Sequence, residues 1–447
     1  MKPAARPDIL YLHSHDTGRY VQPYGHAVPT PNIQRFAERG VLFRKAFCGA
    51  PTCSPSRAVL LTGQAAHTCG MFGLVNRGFY LRDQEKVLPR ALQAAGYETV
   101  LSGVTHIVRD PQTLGYDRIL PTSDSGPAAA KAAAEYLAGG PRRPFFLDAG
   151  FFPTHRRFPE LPTGDDGRYA LPPAPLPDCP EIRRDMAAFK ASAGLLDECV
   201  GTVLHALDET DLAANTLVIL TTDHGIAFPR MKCNLTDHGI GVMLILRGPG
   251  RAGAGEAGGF AGGKALDALV SQLDLFPTIC DSSGIVPPAW LQGVSLLALA
   301  AGERQSVRDE VFAEVNYHCA YEPARAVRTE RWKYIRCFDP HPTILLANCD
   351  KSPSKEVMLR HGWGQMPRAA EALYDLVFDP NESCNLADDL RQGEVLREMR
   401  GRLQRWMRET DDPLLAGPIP PPTTAVVNDA HDIDPEDVLR RRAKGES

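Results

Sequence analysis

The chain has 447 residues, with 49 Lys and Arg against 54 Asp and Glu, giving a formal net charge of −5. Hydrophobic residues at 43% and charged residues at 23% are ordinary for a globular protein and exclude wholesale disorder. At this length one large α/β unit with a smaller companion fits better than a single small fold.

A near-neutral chain without a long basic tract argues against bulk nucleic-acid binding. No run approaches the ~18 apolar residues of a membrane-spanning helix. The stretch Met1–Asp8 lacks the apolar core of a secretory signal, so the expected location is the cytoplasm. Eleven scattered cysteines with no CxxC pair fit reduced thiols better than a disulfide framework.

In chain order, Ile9–Leu12 reads as a buried parallel strand that ends abruptly in His13-Ser14-His15-Asp16. Pro31–Arg39 reads as a short helix, with Pro at its start and Gly40 behind it. Small residues fill 48–63 and run into a helix-like stretch at Arg57–Leu61. Val87–Ala95 is helical in pattern, and Thr99–Leu101 is a strand followed by Gly103 and His106. A helix over Ala128–Leu137, a strand over Pro144–Ala149 and a Pro-rich loop over Leu171–Pro180 come next. A long helix over Met186–Leu207 precedes a strand over Thr216–Thr222, which ends in Asp223-His224-Gly225, and a further strand over Val242–Leu246. Repeated strand–helix alternation predicts a mostly parallel sheet with helices on both faces.

After about residue 325 the pattern changes. Glu330–Phe338 and Ala372–Phe378 look like antiparallel strands, and Glu394–Glu409 carries a helical stripe of Leu396, Met399, Leu403, Trp406 and Met407. The segment from Asp411 onward has too few apolar residues for a core and is expected to be an arm or a disordered end. The expected division is therefore an α/β domain over 1–325, a smaller α+β subdomain over 326–410 and a tail over 411–447.

In an open α/β sheet, ligands bind beyond the carboxyl ends of the strands. His15, Asp16, His106, His155, Asp223 and His224 each follow an apolar strand within a few residues. One such residue is usually a solvated loop side chain; four strand ends finishing in His or Asp point to a divalent cation, Ca²⁺ first and Mg²⁺ or Mn²⁺ behind it. Cys53 opens a Pro-containing turn into a helix, with Arg57 four residues on. That puts a sulfur nucleophile at a helix N-terminus beside a guanidinium able to hold an anion, and an unmodified thiol there could act as a thiolate.

Cys53-Ser54-Pro55-Ser56-Arg57, followed by Leu60-Leu61-Thr62-Gly63, resembles the activation motif of the formylglycine-dependent sulfatases of the alkaline phosphatase superfamily. The longer stretch 53–74 is similar to the heparan N-sulfatase (sulfamidase) branch. Asp223–Pro229, Arg325–Thr329 and Leu373–Leu376 follow in the expected order. The resemblance implies an alkaline phosphatase-like α/β/α sandwich with a smaller C-terminal antiparallel sheet. It implies that Cys53 is oxidised to formylglycine by a formylglycine-generating enzyme, and that the aldehyde hydrate is the nucleophile. Arg57 then contacts that hydrate, Asp16, Asp223 and His224 bind the metal, His106 helps to collapse the sulfated hydrate, and His155 and Lys232 face the leaving group.

Two positions depart from the family pattern. His15 stands where a second N-terminal aspartate is usual, so it either ligates through nitrogen or points away. Val104 stands where a sulfate-binding lysine is usual. His13, His318 and Tyr321 are further candidates for the pocket lining. The expected activity is hydrolysis of an O- or N-sulfate ester of a sugar. A phosphonate monoester or phosphodiester hydrolase of the same fold, and a non-catalytic sulfatase-like binding protein, are the alternatives. Self-association is left open.

Overall fold

The computed structural model describes residues 6–444 except 124–125, 163, 165–166 and 249–258. Ten strands make up the N-terminal part: β1 (Asp8–Ser14), β2 (Val41–Phe43), β3 (Ala46–Phe47), β4 (Glu98–Gly103), β5 (Arg118–Ile119), β6 (Phe145–Gly150), β7 (Thr216–Thr222), β8 (Leu244–Arg247), β9 (Lys264–Leu266) and β10 (Val270–Ser271). Eight of them form one sheet in the order β5-β4-β6-β1-β7-β8-β2-β9, while β3 and β10 pair separately. The sheet is parallel from β5 through β7; β8 runs antiparallel to both neighbours. The strand expected over Val242–Leu246 lies slightly later, at β8.

Strand β1 is central and wholly buried because both of its faces are covered. Leu10 and Leu12 face Ala129, Ala133, Leu196 and Val200 of the helices Gly126–Ala138 and Pro180–Asp208. Ile9 and Tyr11 face the opposite layer, which contains Leu60, Leu61, Phe276 and Ile279 of the helices Cys53–Thr62 and Leu275–Ser282. Alternate residues of one strand thus anchor two helical layers, giving the α/β/α sandwich.

A second sheet follows, antiparallel in the order β11 (Glu310–Tyr317), β12 (Tyr321–Thr329), β13 (Trp332–Cys337) and β14 (Glu371–Asp375). Leu396, Met399, Leu403 and Met407 of the helix Gly393–Glu409 pack on Val327, Tyr334 and Leu373. This sheet begins at Glu310, so a boundary after residue 325 would fall inside β12. The reason is pairing: β11 forms its ladder with β12, from Glu310–Thr329 to Tyr317–Tyr321.

The segment after Asp411, expected as an arm or disordered end, packs onto the body over its described length. Buried Arg325 donates to both carboxylate oxygens of Asp412 at 2.6 and 2.9 Å. Further on, the buried Lys355 ammonium donates to Ile433 O at 2.6 Å, and Arg77 donates to Val426 O and Pro435 O at 3.2 and 2.7 Å. Among the described residues no helix is long and apolar enough to cross a membrane.

Candidate active site

The site lies where β1 and β7, adjacent and parallel, deliver their carboxyl ends. Asp16 follows β1 with φ +48°, a left-handed conformation uncommon for a residue other than glycine. The conformation is held by hydrogen bonds, since Asp223 Oδ1 accepts from both Asp16 N at 2.8 Å and His224 N at 2.9 Å. The loop after β6 is tied to the same point, with Thr154 donating to His15 O through its amide and hydroxyl, each at 3.0 Å.

Cys53 is the first residue of a ten-residue helix in which every residue is buried. Its helix is clamped to the end of β7: Ser56 Oγ reaches Asp223 O at 2.5 Å, and Gln272 Nε2 donates to Thr222 O at 2.7 Å and Asp223 O at 3.0 Å. Cys53 Sγ therefore sits 3.4 Å from His224 Nε2 and 4.0 Å from Asp16 Oδ1. Burial pushes the thiol well above its ordinary range, and Asp16 and Asp223 add to this against Lys232 and Arg57. Burial thus works against the thiolate form of an unmodified Cys53.

Arg57 is fixed by three partners: His13 Nδ1 at 2.7 Å, Ser14 O at 2.9 Å and Asp223 Oδ2 at 3.2 Å. His13 in turn meets Asp148 Oδ1 at 2.8 Å, and Tyr116 donates to Asp148 Oδ2 at 2.5 Å. His13 therefore lies behind Arg57 rather than in the pocket lining. Gly150 permits this, because a Cβ there would come within 2.5 Å of His13 Cε1. Tyr321 is not a lining residue either; its hydroxyl accepts from Ile419 N at 2.9 Å and its ring packs on Tyr317.

Lys232 is buried, with Nζ 2.9 Å from Asp16 Oδ2 and 3.1 Å from Asp350 Oδ2. His155 brings Nε2 to 4.0 Å from Asp16 Oδ2, and its side chain is 26% exposed, so it faces the open side. His106 packs beside His15 with ring centroids 5.8 Å apart, and burial with Arg57 lowers it to about 4. His318 is buried near Lys232, and burial followed by that lysine's charge holds it well below its usual range. Nothing local in the sequence marks Asp350, Gln272, Thr154 or Asp148; all four act through contacts 49 or more residues away.

His15 turns into the cluster, with Nδ1 3.2 Å from Asp223 Oδ2. His15, Asp16, Cys53 and Asp223, all buried, place ligand atoms within 4.8 Å of one another. Both His15 nitrogens and Asp223 Oδ2 make no hydrogen bond. Buried imidazole nitrogens without a hydrogen bond, beside the Asp16 and Asp223 carboxylates, are donors that suit a divalent cation, so the residues fit a metal. His224 Nε2 lies 3.4 Å from Asp16 Oδ1, at the rim of the same group.

The sulfatase family profile matches residues 7–285, and the profile for the C-terminal part of N-sulphoglucosamine sulphohydrolase matches 243–360. The chain is 30% identical to human (Homo sapiens) N-sulphoglucosamine sulphohydrolase, over 93% of this chain and 92% of the relative. It is 27% identical to a Delta 4,5-hexuronate-2-O-sulfatase of Bacteroides thetaiotaomicron, over 91% and 90%. In fold it superposes on a 2-O glycosaminoglycan sulfatase with TM-score 0.68 at 24% identity, covering 92% of this chain and 94% of that one. A phosphonate monoester hydrolase of Agrobacterium radiobacter superposes with TM-score 0.69 at 21% identity, covering 92% and 97%. With the Cys53 motif seated between the ends of β1 and β7, and the profile covering more than half of its length, the chain belongs to the sulfatase family.

Proposed function

We propose that this chain is a sulfatase that removes sulfate, as an O- or N-sulfate, from a carbohydrate, using Cys53 after oxidation to formylglycine. The observation that carries the reading is the convergence of Cys53, Arg57, Lys232 and the Asp16–Asp223 pair in one cluster at the strand ends. The curated relatives named for sugar sulfates support the substrate class.

A sulfate monoester resists attack because its anionic oxygens repel a nucleophile and its leaving oxygen is poor. The cation, held by Asp16, Asp223 and His15 with His224 beside them, would supply Lewis-acid neutralisation of those oxygens. Arg57 adds a fixed positive charge on the nucleophile's side, held in place by His13 and Ser14 O. Buried Lys232 and partly exposed His155 lie beside Asp16 Oδ2, where they stabilise charge on the departing oxygen or nitrogen. His106, lowered to about 4 by burial and Arg57, is neutral near pH 7 and is assigned the proton transfer that regenerates the modified Cys53 side chain.

The two carboxylates favour Ca²⁺ as the bound ion, and the His15 imidazole makes Mn²⁺ its competitor. A reducing compartment suits the chain, whose eleven cysteines are all free. The test is co-expression with a formylglycine-generating enzyme, mass spectrometry of the Cys53 peptide and assay of sulfate release. Turnover should scale with the converted fraction and vanish in Cys53→Ala. Sulfate release by Cys53→Ala at the wild-type rate would overturn the reading.

A further inference from the structure

Lys232 is gripped by two carboxylates, and only Asp16 belongs to the strand-end cluster. The other, Asp350, arrives from the C-terminal part of the chain, on a loop that is firmly built. Asn348 Oδ1 accepts from Cys319 N at 2.9 Å and Ala320 N at 2.8 Å, and its Nδ2 donates to Glu322 Oε2 at 2.7 Å. Lys355 Nζ donates to Leu346 O at 3.0 Å and Cys349 O at 2.8 Å. Ser352 caps the following helix, its Oγ accepting from Lys355 N at 3.1 Å.

Asp350 is therefore presented to the pocket by a preformed loop. Its Oδ2 is sealed from solvent against Lys232, yet 19% of the side chain is exposed. That exposure falls on the other atoms, and Oδ1 accepts no hydrogen bond from any described residue. Burial works to raise the carboxyl, but Lys232, His318 and His155 overcome it and hold it well below the usual carboxylate range. An ionised oxygen with a free lone pair, next to the lysine on the leaving-group side, is an acceptor without a donor.

We propose that Asp350 is a specificity-determining residue that reads the leaving group, accepting a hydrogen bond from an O–H or N–H donor beside the sulfated atom. This rests on the sulfatase reading and narrows it: the substrate is a sugar sulfate with a hydroxyl or amino group next to the ester or sulfamate. A carboxylate at that place is repelled by Asp350.

The experiment compares wild type and Asp350→Asn, both full length and with measured formylglycine content. The substrates are N-sulfoglucosamine, whose C1 and C3 hydroxyls flank the sulfamate, and 4-nitrophenyl sulfate, which has no neighbouring donor. A hydrogen bond to a charged acceptor is worth about 10–100-fold, so kcat/KM on N-sulfoglucosamine should fall by that factor. On 4-nitrophenyl sulfate only the contact with Lys232 is altered, so the loss should be several-fold smaller than on the sugar. Equal losses on both classes would make Asp350 only an anchor for Lys232 and overturn the proposal.

A second readout does not depend on turnover: calorimetric binding of N-sulfoglucosamine and of 4-nitrophenyl sulfate, which lacks a neighbouring donor, to Cys53→Ala and to Cys53→Ala/Asp350→Asn. Asp350→Asn should weaken the first about tenfold or more and leave the second unchanged or tighter. Unchanged affinity for the amino sugar, or no binding of it at all, overturns the proposal. The expected binding pattern without sulfate release by the wild type would count against the sulfatase reading and leave the role of Asp350 standing.

Discussion

A cation held by Asp16, Asp223 and His15 must stabilise the folded chain, because the unfolded chain does not assemble the set. The gain is RT ln(1 + [L]/Kd), about 2.7 kcal/mol when free cation is one hundred times its Kd. Unfolding entropy near 2.1 cal/mol/K per residue gives a 447-residue chain about 0.94 kcal/mol/K if it melts as one unit. Saturation should then raise Tm by about 3 °C, and by about 4 °C at one thousand times Kd. Calorimetric titration of chelator-treated protein with Ca²⁺ and Mn²⁺ supplies the Kd, and scanning calorimetry reads the shift. Asp223→Asn retains the Oδ1 acceptor for Asp16 N and His224 N but removes the ligand oxygen, so the cation-dependent shift should fall below 1 °C, about a third of its value. His15→Asp makes the set all-oxygen and should move the Mn²⁺/Ca²⁺ affinity ratio at least about tenfold toward Ca²⁺. A full shift in Asp223→Asn would remove that residue from the ligand set, and an unchanged ratio in His15→Asp would remove His15.

Lys232→Ala should slow a sugar or alkyl sulfate by about 10²–10³-fold and an activated nitrophenyl sulfate far less; parallel plots of log rate against leaving-group pKa would refute the leaving-group role. Ending the chain at Gly417 strips buried Lys355 and half-buried Arg77 of their C-terminal carbonyl partners. With about 1–3 kcal/mol per stranded donor, Tm should fall by about 2–6 °C and activity with it, and unchanged melting would show the segment to be dispensable. His238 is lowered from 6.5 to about 4, mainly by burial, and stays neutral in the folded chain while the unfolded chain binds a proton. Its contribution is full above pH 6.5 and is lost as pH falls toward 4, so His238→Gln should flatten the stability profile in that window; an unchanged slope would refute this.

What was legible in the sequence was what local rules encode. The buried strand Thr216–Thr222 and the helix Pro31–Arg39 have the bounds read from apolar runs and from Pro and Gly punctuation. Cys53 and Arg57 were legible because a helix N-terminus places them one turn apart. Asp350 was not, because a lone Asp in a polar loop looks like any surface residue until the fold sets it beside Lys232. The packing of the C-terminal segment is illegible in the sequence for a related reason. Its hold on the body comes partly from backbone carbonyls of Val426, Ile433 and Pro435, and every residue has a carbonyl.

The two departures from the family pattern become intelligible as charge balance. Three carboxylates, Asp16, Asp223 and Asp350, meet two permanent cations, Arg57 and Lys232, in one contact layer. Burial, with Arg57 next, keeps His15 well below its ordinary range, so it adds no charge. That layer is one negative charge in excess, and it would repel a sulfate monoester. A divalent cation turns the excess positive by one, which the monoester's single charge then neutralises. A lysine at Val104 would add a further positive charge, and an aspartate at His15 would cancel it. The neutral pair His15 and Val104 thus leaves the balance as an Asp and a Lys would, while removing a strongly solvated ion pair from a pocket that must exclude water.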